Sequence, residues 1–377
     1  MGPLAGVRVL EVAAIGPSPM TGMILADMGA EVIRIERASE DTPMTRSDPS
    51  NRGKRSIALD LKSAGGADAF LRLVESADVV TEGFRPGVME RLGLGPEDCR
   101  ARNSRLVYGR MTGWGQDGPL SQAAGHDINF ISLTGALHAI GSAGAPPVPP
   151  LNLVGDMGGG GMLLALGIVA ALYESKSSGQ GQVVDAAMTD GSALMMWMFH
   201  GFAALGFHDV DARGANVLDG GAHFYGSYET ADGKYVSIGS IEPQFYARLI
   251  ELVGLDAQDF AAQMDQDGWP ILKSKLAAVF RQKTRDEWCE LLEGTDVCFA
   301  PVLSLAEAPE HAHNVARGTY VTVDGMVQPA PAPRFDRTPS EVRHGNHDLG
   351  SDTEAVLIEA GFDTDEIDAL RKSGCLT

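Results

Sequence analysis

The sequence predicts an α/β protein, with a large domain on a mainly parallel sheet followed by a smaller α+β domain. Three observations carry that prediction. Short apolar runs alternate with helical patterns from Val7 to Ala187, the order that yields parallel strands covered by helices. An apolar, Met-rich segment, Ser192–Phe207, then leaves that unit. Beyond Gly220, two alternating runs meet at Asp232-Gly233, a dipeptide that favours hairpin turns.

In order, Val7–Val12 reads as a buried strand, Pro17–Met28 as a helix closed by Gly29, and Glu31–Ile35 as a second strand. Ser56–Leu61 and Val79–Thr81 continue the strand signal around a helix at Ala67–Ser76, and Leu106–Met111 adds another strand. Two helices starting near His126 and Asp156 lead to a last strand, Val183–Ala187. Tyr225–Thr230 and Lys234–Ser240 form the hairpin of the small domain, followed by helices at Pro243–Val253 and Asp286–Glu293. Pro329–Pro333 marks a linker, and a short amphipathic helix surrounds Ile367. The expected boundaries are a large domain at 1–190, a linker helix at 191–219, a small domain at 220–320 and a C-terminal return at 321–377.

A hydrophobic content of 44% and a charged content of 21% are ordinary for a globular chain of 377 residues. The formal charge of -20 argues against nucleic acid, whose phosphates demand clustered Lys and Arg. Cys99, Cys289, Cys298 and Cys375 show no metal or disulfide spacing. With no signal peptide in view, the expectation is a reducing, cytoplasmic location. Met162–Leu172 is apolar but reads as too short, and too interrupted by glycine, to span a bilayer.

The first strand–helix–strand, closed by Glu36, invites a dinucleotide reading. The phosphate fingerprint needs G-x-G-x-x-G at the turn. Here the turn is Ala14-Ile15-Gly16-Pro17-Ser18-Pro19, with the next glycine at Gly22. The second glycine is missing, and the prolines remove two N–H donors where pyrophosphate would rest. A Rossmann-like fold without a nicotinamide cofactor is the expectation.

The chemistry concentrates in two short stretches. Gly125-His126-Asp127 opens one helix pattern, and Gly155-Asp156-Met157 with four further glycines opens another. An imidazole and a carboxylate can exchange protons, helix starts offer unpaired N–H groups to developing negative charge, and glycines allow a ligand close to the main chain. Such groups suit removal and return of a proton beside a carbonyl.

Longer motifs carry a resemblance. Leu4-Ala5-Gly6-Val7-Arg8-Val9-Leu10-Glu11, Gly29-Ala30-Glu31-Val32-Ile33-Arg34-Ile35-Glu36 and Asn51-Arg52-Gly53-Lys54-Arg55-Ser56 open it. Phe84-Arg85-Pro86-Gly87-Val88, Met111-Thr112-Gly113-Trp114-Gly115-Gln116 and Gly179-Gln180-Gly181-Gln182-Val183 continue it. Together they resemble the family III CoA-transferase superfamily along nearly the whole chain. Gly125-His126-Asp127 and Ile241-Glu242-Pro243-Gln244-Phe245 look like its α-methylacyl-CoA racemase branch.

The resemblance implies an acyl-CoA thioester substrate with no separate cofactor and no metal, and an obligate, interlocked homodimer. It places the active site between one subunit's large domain and the partner's small domain, and the activity in branched-chain lipid metabolism. It makes His126 and Asp156 the two acid/bases and gives the Asp127 N–H to the thioester oxygen. Glu242 would come from the other subunit to orient His126. Arg37, Leu59, Asp60, Leu61, Lys62, Gly83, Arg85, Arg91 and Gly125 would hold CoA. Transferases of this superfamily carry a longer glycine run before the small-domain hairpin, where this chain has only Asp219-Gly220-Gly221-Ala222.

Each residue also has a structural reading. A histidine or aspartate at a helix start is commonly a cap, Glu242 before Pro243 suits any helix N-terminus, and the arginines are ordinary surface residues. Met188, Met195, Met196 and Met198 serve equally as core packing or as an adaptable apolar lining for an acyl tail. The alternative activity is acyl-CoA:carboxylate CoA transfer with Asp156 as nucleophile. A third reading is a non-catalytic CoA-binding protein.

Overall fold

The computed structural model describes residues 2–37 and 47–376. The chain divides into two compact units, one of Met1–Thr134, Leu151–Met195 and Arg317–Thr377, the other of Gly135–Pro150 and Met196–Ala316.

The larger unit holds a six-stranded sheet: β1 (Arg8–Val12), β2 (Glu31–Glu36), β3 (Lys54–Ala58), β4 (Val79–Glu82), β5 (Val107–Thr112) and β6 (Val183–Ala187). Every pairing is parallel, in the order β3-β2-β1-β4-β5-β6. The order reverses between β1 and β4, so the loops leaving those strands diverge and open a crevice at their carboxyl ends.

Alternate residues of a strand face opposite sides. On one side Leu10, Ile33, Ile57 and Val80 form an apolar core with Phe70 and Leu73 of α2 (Ala64–Val74). The opposite side carries a buried polar row in which Glu11 pairs in register with Arg34 and Thr81, and Arg34 with Ser56. Lys54 Nζ lies 2.7 Å from both Glu11 carboxylate oxygens and 2.9 Å from the carbonyl of Pro19, in α1 (Pro17–Asp27). A Cβ at Gly22 of α1 would fall 1.7 Å from Glu11 Oε2. The helix therefore carries a glycine despite its cost of about 1 kcal/mol.

The predicted Ser56–Leu61 strand is shorter and shifted. Leu59 N–H still bonds Glu36 O, but Asp60 N–H turns to Cys375 O, so the C-terminal tail replaces β2 as its partner. The apolar run predicted too short for a bilayer is also corrected. It lies in a continuous helix, Leu153–Ser178, which is long and apolar enough to cross a membrane by length and composition alone. Here it packs against α1, β5 and β6, with Leu164 and Ile168 in the core.

Ser192–Phe207, predicted as one helix, is two: Met188–Met195 and Trp197–Ala204. The first is held by backbone contact between Gly191 and Gly159. The second has no buried residue, and between them Met196 leaves helical geometry at ψ 2°.

In the smaller unit, Tyr225–Glu229, Tyr235–Gly239 and Phe299–Val302 form an antiparallel sheet with Tyr235–Gly239 in the middle. The predicted hairpin turns through Thr230–Lys234, with Gly233 at φ 72°. Helices Pro243–Leu252, Trp269–Phe280 and Arg285–Leu292 enclose an aromatic core that includes Phe224, Tyr246, Trp269 and Trp288. The second of these helices was not predicted. His223 is buried there, with Nε2 2.6 Å from the Tyr246 hydroxyl, and burial pushes its pKa down to about 4.

Candidate active site

A cavity of about 560 Å³ opens at the crevice between β1 and β4. The β1 loop supplies Ile15, Gly16 and Pro17, and the β4 loop supplies Gly83, Phe84, Arg85 and Pro86. From β5 and its loop come Met111, Thr112, Gly113 and Trp114. Gly125, His126, Asn129, Phe130, Asp156 and Met188 complete much of the wall. The fold thus brings the two predicted acid/base residues to one cavity.

His126 is extended and exposed, just ahead of the helix Asp127–Ser132. Its N–H donates to Asn129 Oδ1 at 3.1 Å, and its carbonyl accepts from the N–H groups of Asn129 and Phe130. The Asp127 N–H, first in the helix, has no intrahelical acceptor. Trp114 packs edge-on against Phe130, their centroids 4.8 Å apart. A Cβ at Gly125 would lie 2.7 Å from Phe130 and 3.0 Å from Trp114, which is why glycine precedes His126.

Asp127 also points inward. Its buried Oδ1 accepts the N–H of Asp156 at 2.7 Å, tying the two predicted site segments together. A Cβ at Gly155 would stand 2.5 Å from that oxygen. Glycine at 155 is the condition for this bond.

Asp156 lies in the first turn of its helix, though not at the very start that was predicted. It is the fourth residue of a π-helical segment, Leu153–Met162, whose wide turns appear in the bond from Met157 N–H to Asn152 O, 3.2 Å. Asn152 Nδ2 donates to Asp156 Oδ2 at 3.1 Å. Burial raises the Asp156 pKa above the usual aspartate value; the Asn152 bond lowers it, the Asp127 charge raises it, and His126 lowers it. Burial prevails, which makes this carboxylate a better base than an exposed aspartate.

The glycines that follow serve packing rather than access by a ligand. A Cβ at Gly159 would meet the Ser192 N at 2.8 Å, at Gly160 Met188 and Pro17 at 3.1 Å, and at Gly161 the Pro17 carbonyl at 3.0 Å. Their bare backbones let the π-helix nest against α1 and Met188–Met195, and Thr21 Oγ1 donates to the Gly161 carbonyl at 2.9 Å. Helix-to-helix contact, invisible in local sequence, is the reason for the run.

Of the other predicted residues, Gly83, Arg85 and Gly125 line the cavity, while Arg37, Asp60, Lys62 and Arg91 are not in its wall. Leu59 and Leu61 are buried in the apolar core, so their side chains are committed to packing. Glu242 is in the smaller unit, exposed and just ahead of the helix Pro243–Leu252. Met188 reaches the cavity wall, and Met195 packs on Gly158. The sequence reading missed Asn152, Trp114 and Phe130. Asn152 was legible only once the helix was known to begin before Asp156, which sets the two residues one turn apart.

A sheet ordered in this way, with an acid/base cavity at its reversal point, agrees with the comparisons. The model of CoA-transferase family III matches residues 4–353, and the chain belongs to that family. It is 46% identical to α-methylacyl-CoA racemase of Mus musculus, over 97% of this chain and 95% of that protein. With α-methylacyl-CoA racemase of Homo sapiens it shares 44% over the same fractions. A CAIB/BAIF family protein from Brucella suis superposes with a TM-score of 0.83 at 26% identity, covering 95% of this chain and 99% of that one.

Proposed function

We propose that the protein is a racemase that interconverts (2R)- and (2S)-2-methylacyl-CoA thioesters by 1,1-proton transfer through an enolate. The observation that carries this reading is that His126 and Asp156 share one cavity wall, with Asp127 the first residue of the helix that follows His126. Inverting a tertiary carbon requires a base on one face and an acid on the other, and one proton shared between imidazole and carboxylate serves both directions. Each acid/base contributes roughly 10²–10⁴-fold, and the Asp127 N–H as oxyanion donor about 3–4 kcal/mol. Asn152 holds Asp156 in place, and the partner subunit's Glu242 orients His126. Incubation of a single 2-methylacyl-CoA epimer with the enzyme and no added acid tests the reading. Formation of the other epimer is expected; a requirement for a carboxylate acceptor would overturn it in favour of CoA transfer by Asp156.

CoA is held through Arg37, Arg85, Arg91, Gly83, Gly125 and the Leu59–Lys62 turn, because an acidic protein meets a polyanion only through local positive charge. Arg37→Ala or Arg91→Ala should raise KM roughly tenfold while kcat changes little, since charge-assisted contacts to the nucleotide are equal in ground and transition states. Kinetic constants equal to wild type in both variants would remove these residues from the binding set.

The working unit is a homodimer. An exposed apolar stripe runs along the long helix through Met162, Leu166 and Tyr173, the last two 65% and 78% exposed. Trp197, Leu205 and Phe207 are exposed in the same manner in the smaller unit. Exposed apolar side chains of this kind, on either unit, favour association. Sedimentation should show a dimer that resists dilution to assay concentration; a fully active monomer there would reject the shared site.

A further inference from the structure

Arg110 lies on β5, outside the cavity wall, yet it bridges the two ends of the loop that forms one side of that wall. Arg110 Nε donates to Glu82 Oε1 at 3.0 Å, at the end of β4. Its Nη1 and Nη2 donate to the Glu90 carboxylate at 2.8 and 3.3 Å, in the short helix Val88–Arg91. Between those carboxylates run Gly83, Phe84, Arg85 and Pro86, all in the cavity wall. The second Glu82 oxygen accepts the Phe84 N–H at 2.7 Å, so the same carboxylate also sets the loop's first turn. Arg91 follows Glu90 directly, and its Nη1 lies close to the turn at Gly87, where a Cβ would stand 3.2 Å from it.

We propose that Arg110 is a positioning residue for CoA recognition, its guanidinium clamping Glu82 and Glu90 so that the loop from Gly83 to Arg91 keeps the shape that receives the thioester. This deepens the racemase reading and rests on it for the identity of the ligand.

The chemistry explains why arginine stands here. A planar fork reaches two carboxylates in different directions at once, whereas an ammonium is a single point of charge. Glu82 and Arg110 are both buried. Burial pushes Glu82 up to about 7 even though the Phe84 N–H and the Arg110 charge pull it down. Without the guanidinium burial would shift that carboxyl further toward its protonated form, and its hold on the loop would weaken.

The test uses the full-length enzyme with Arg110→Met, Arg110→Lys and Glu90→Gln. Calorimetric titration with free coenzyme A is set beside KM and kcat for a 2-methylacyl-CoA epimer. Arg110→Met should raise both the Kd of coenzyme A and KM about tenfold with kcat within about twofold, Arg110→Lys and Glu90→Gln falling between it and wild type. A merely structural role would lower the active fraction, and so kcat, at constant KM; that outcome, or unchanged Kd and KM in Arg110→Met, overturns the proposal. If Arg110→Met does not fold, Glu90→Gln decides alone, because its side chain is 43% exposed: wild-type Kd and KM there overturn the clamp. Coenzyme A titration needs no turnover, so a failure of the clamp and a failure of the racemase reading are seen separately; the latter would appear as wild type that binds coenzyme A but inverts neither epimer.

Discussion

In D₂O the wild-type enzyme should place deuterium at the α-carbon of either epimer while the thioester stays intact, and Asp156→Asn should abolish epimerisation, by at least about 10²–10⁴-fold. The substitution keeps nearly the same volume and removes only proton exchange. It disturbs little else, because the bond that fixes this position runs from the residue 156 backbone N–H to Asp127 Oδ1. An asparagine carbonyl still accepts from Asn152, so binding of the thioester should survive. His126→Ala should also abolish inversion, yet one of the two variants will retain slow exchange on the face still served by a base. The raised pKa of Asp156 sets the sign of the pH dependence. As pH falls, this carboxylate takes up its proton at a higher pH than an exposed aspartate, and the form that removes a proton is lost correspondingly early. A transferase acting through Asp156 has no need to break the α C–H bond. Substantial inversion by Asp156→Asn, or thioester consumption by wild type with no deuterium gained, would promote that mechanism.

Much of the scaffold was legible because it depends on local pattern. The β1–α1–β2 alternation, the Asp-Gly hairpin and β6 arise from residues close in sequence whose apolar spacing already states which face is buried. What escaped depends on distant partners. Leu59 and Leu61 alternate like strand residues, but only the tail at Cys375 ends their pairing with β2. The glycines after Asp156 announce an exposed backbone when read alone; Pro17, Met188 and Ser192 turn them into a packing surface. The site shows the same division. His126, Asp127 and Asp156 were visible through motif and chemistry, whereas the Asp127 carboxylate bond to the Asp156 N–H required the π-helical register. No helical periodicity of 3.6 residues forecasts i→i+5 bonds. Glu242 stands furthest from local inference, since its proposed role needs a second subunit.

The buried pair beneath α1 gives the largest stability effect to be expected. Lys54→Met should cost about 3–5 kcal/mol, because it leaves the Glu11 carboxylate charged or newly protonated in a site closed to solvent. Glu11 is 0% and Lys54 1% exposed, so neither can turn to solvent when its partner is lost. Burial pushes Glu11 up and Lys54 down, and each charge pulls the other back. The contact at 2.7 Å to both oxygens keeps that attraction strong. Glu11→Leu alone should be comparably destabilising, for among the described residues it leaves the ammonium only the Pro19 carbonyl, 2.9 Å away, as a hydrogen-bond acceptor. The double variant Glu11→Leu/Lys54→Met should recover most of the loss, since a well-packed apolar pair of similar volume is often as stable as a buried ion pair. Urea denaturation at fixed protein concentration measures all four corners of the cycle, and the coupling energy should reach at least about 2 kcal/mol. Because α1 starts at the cavity, with Pro17 in its wall, Lys54→Met should also slow epimerisation and the double variant restore it. Additive single-variant losses, or a Lys54→Met protein as stable as wild type, would mean that the pair does not hold α1 on the sheet and that Gly22 is fixed by something other than the Glu11 carboxylate beneath it.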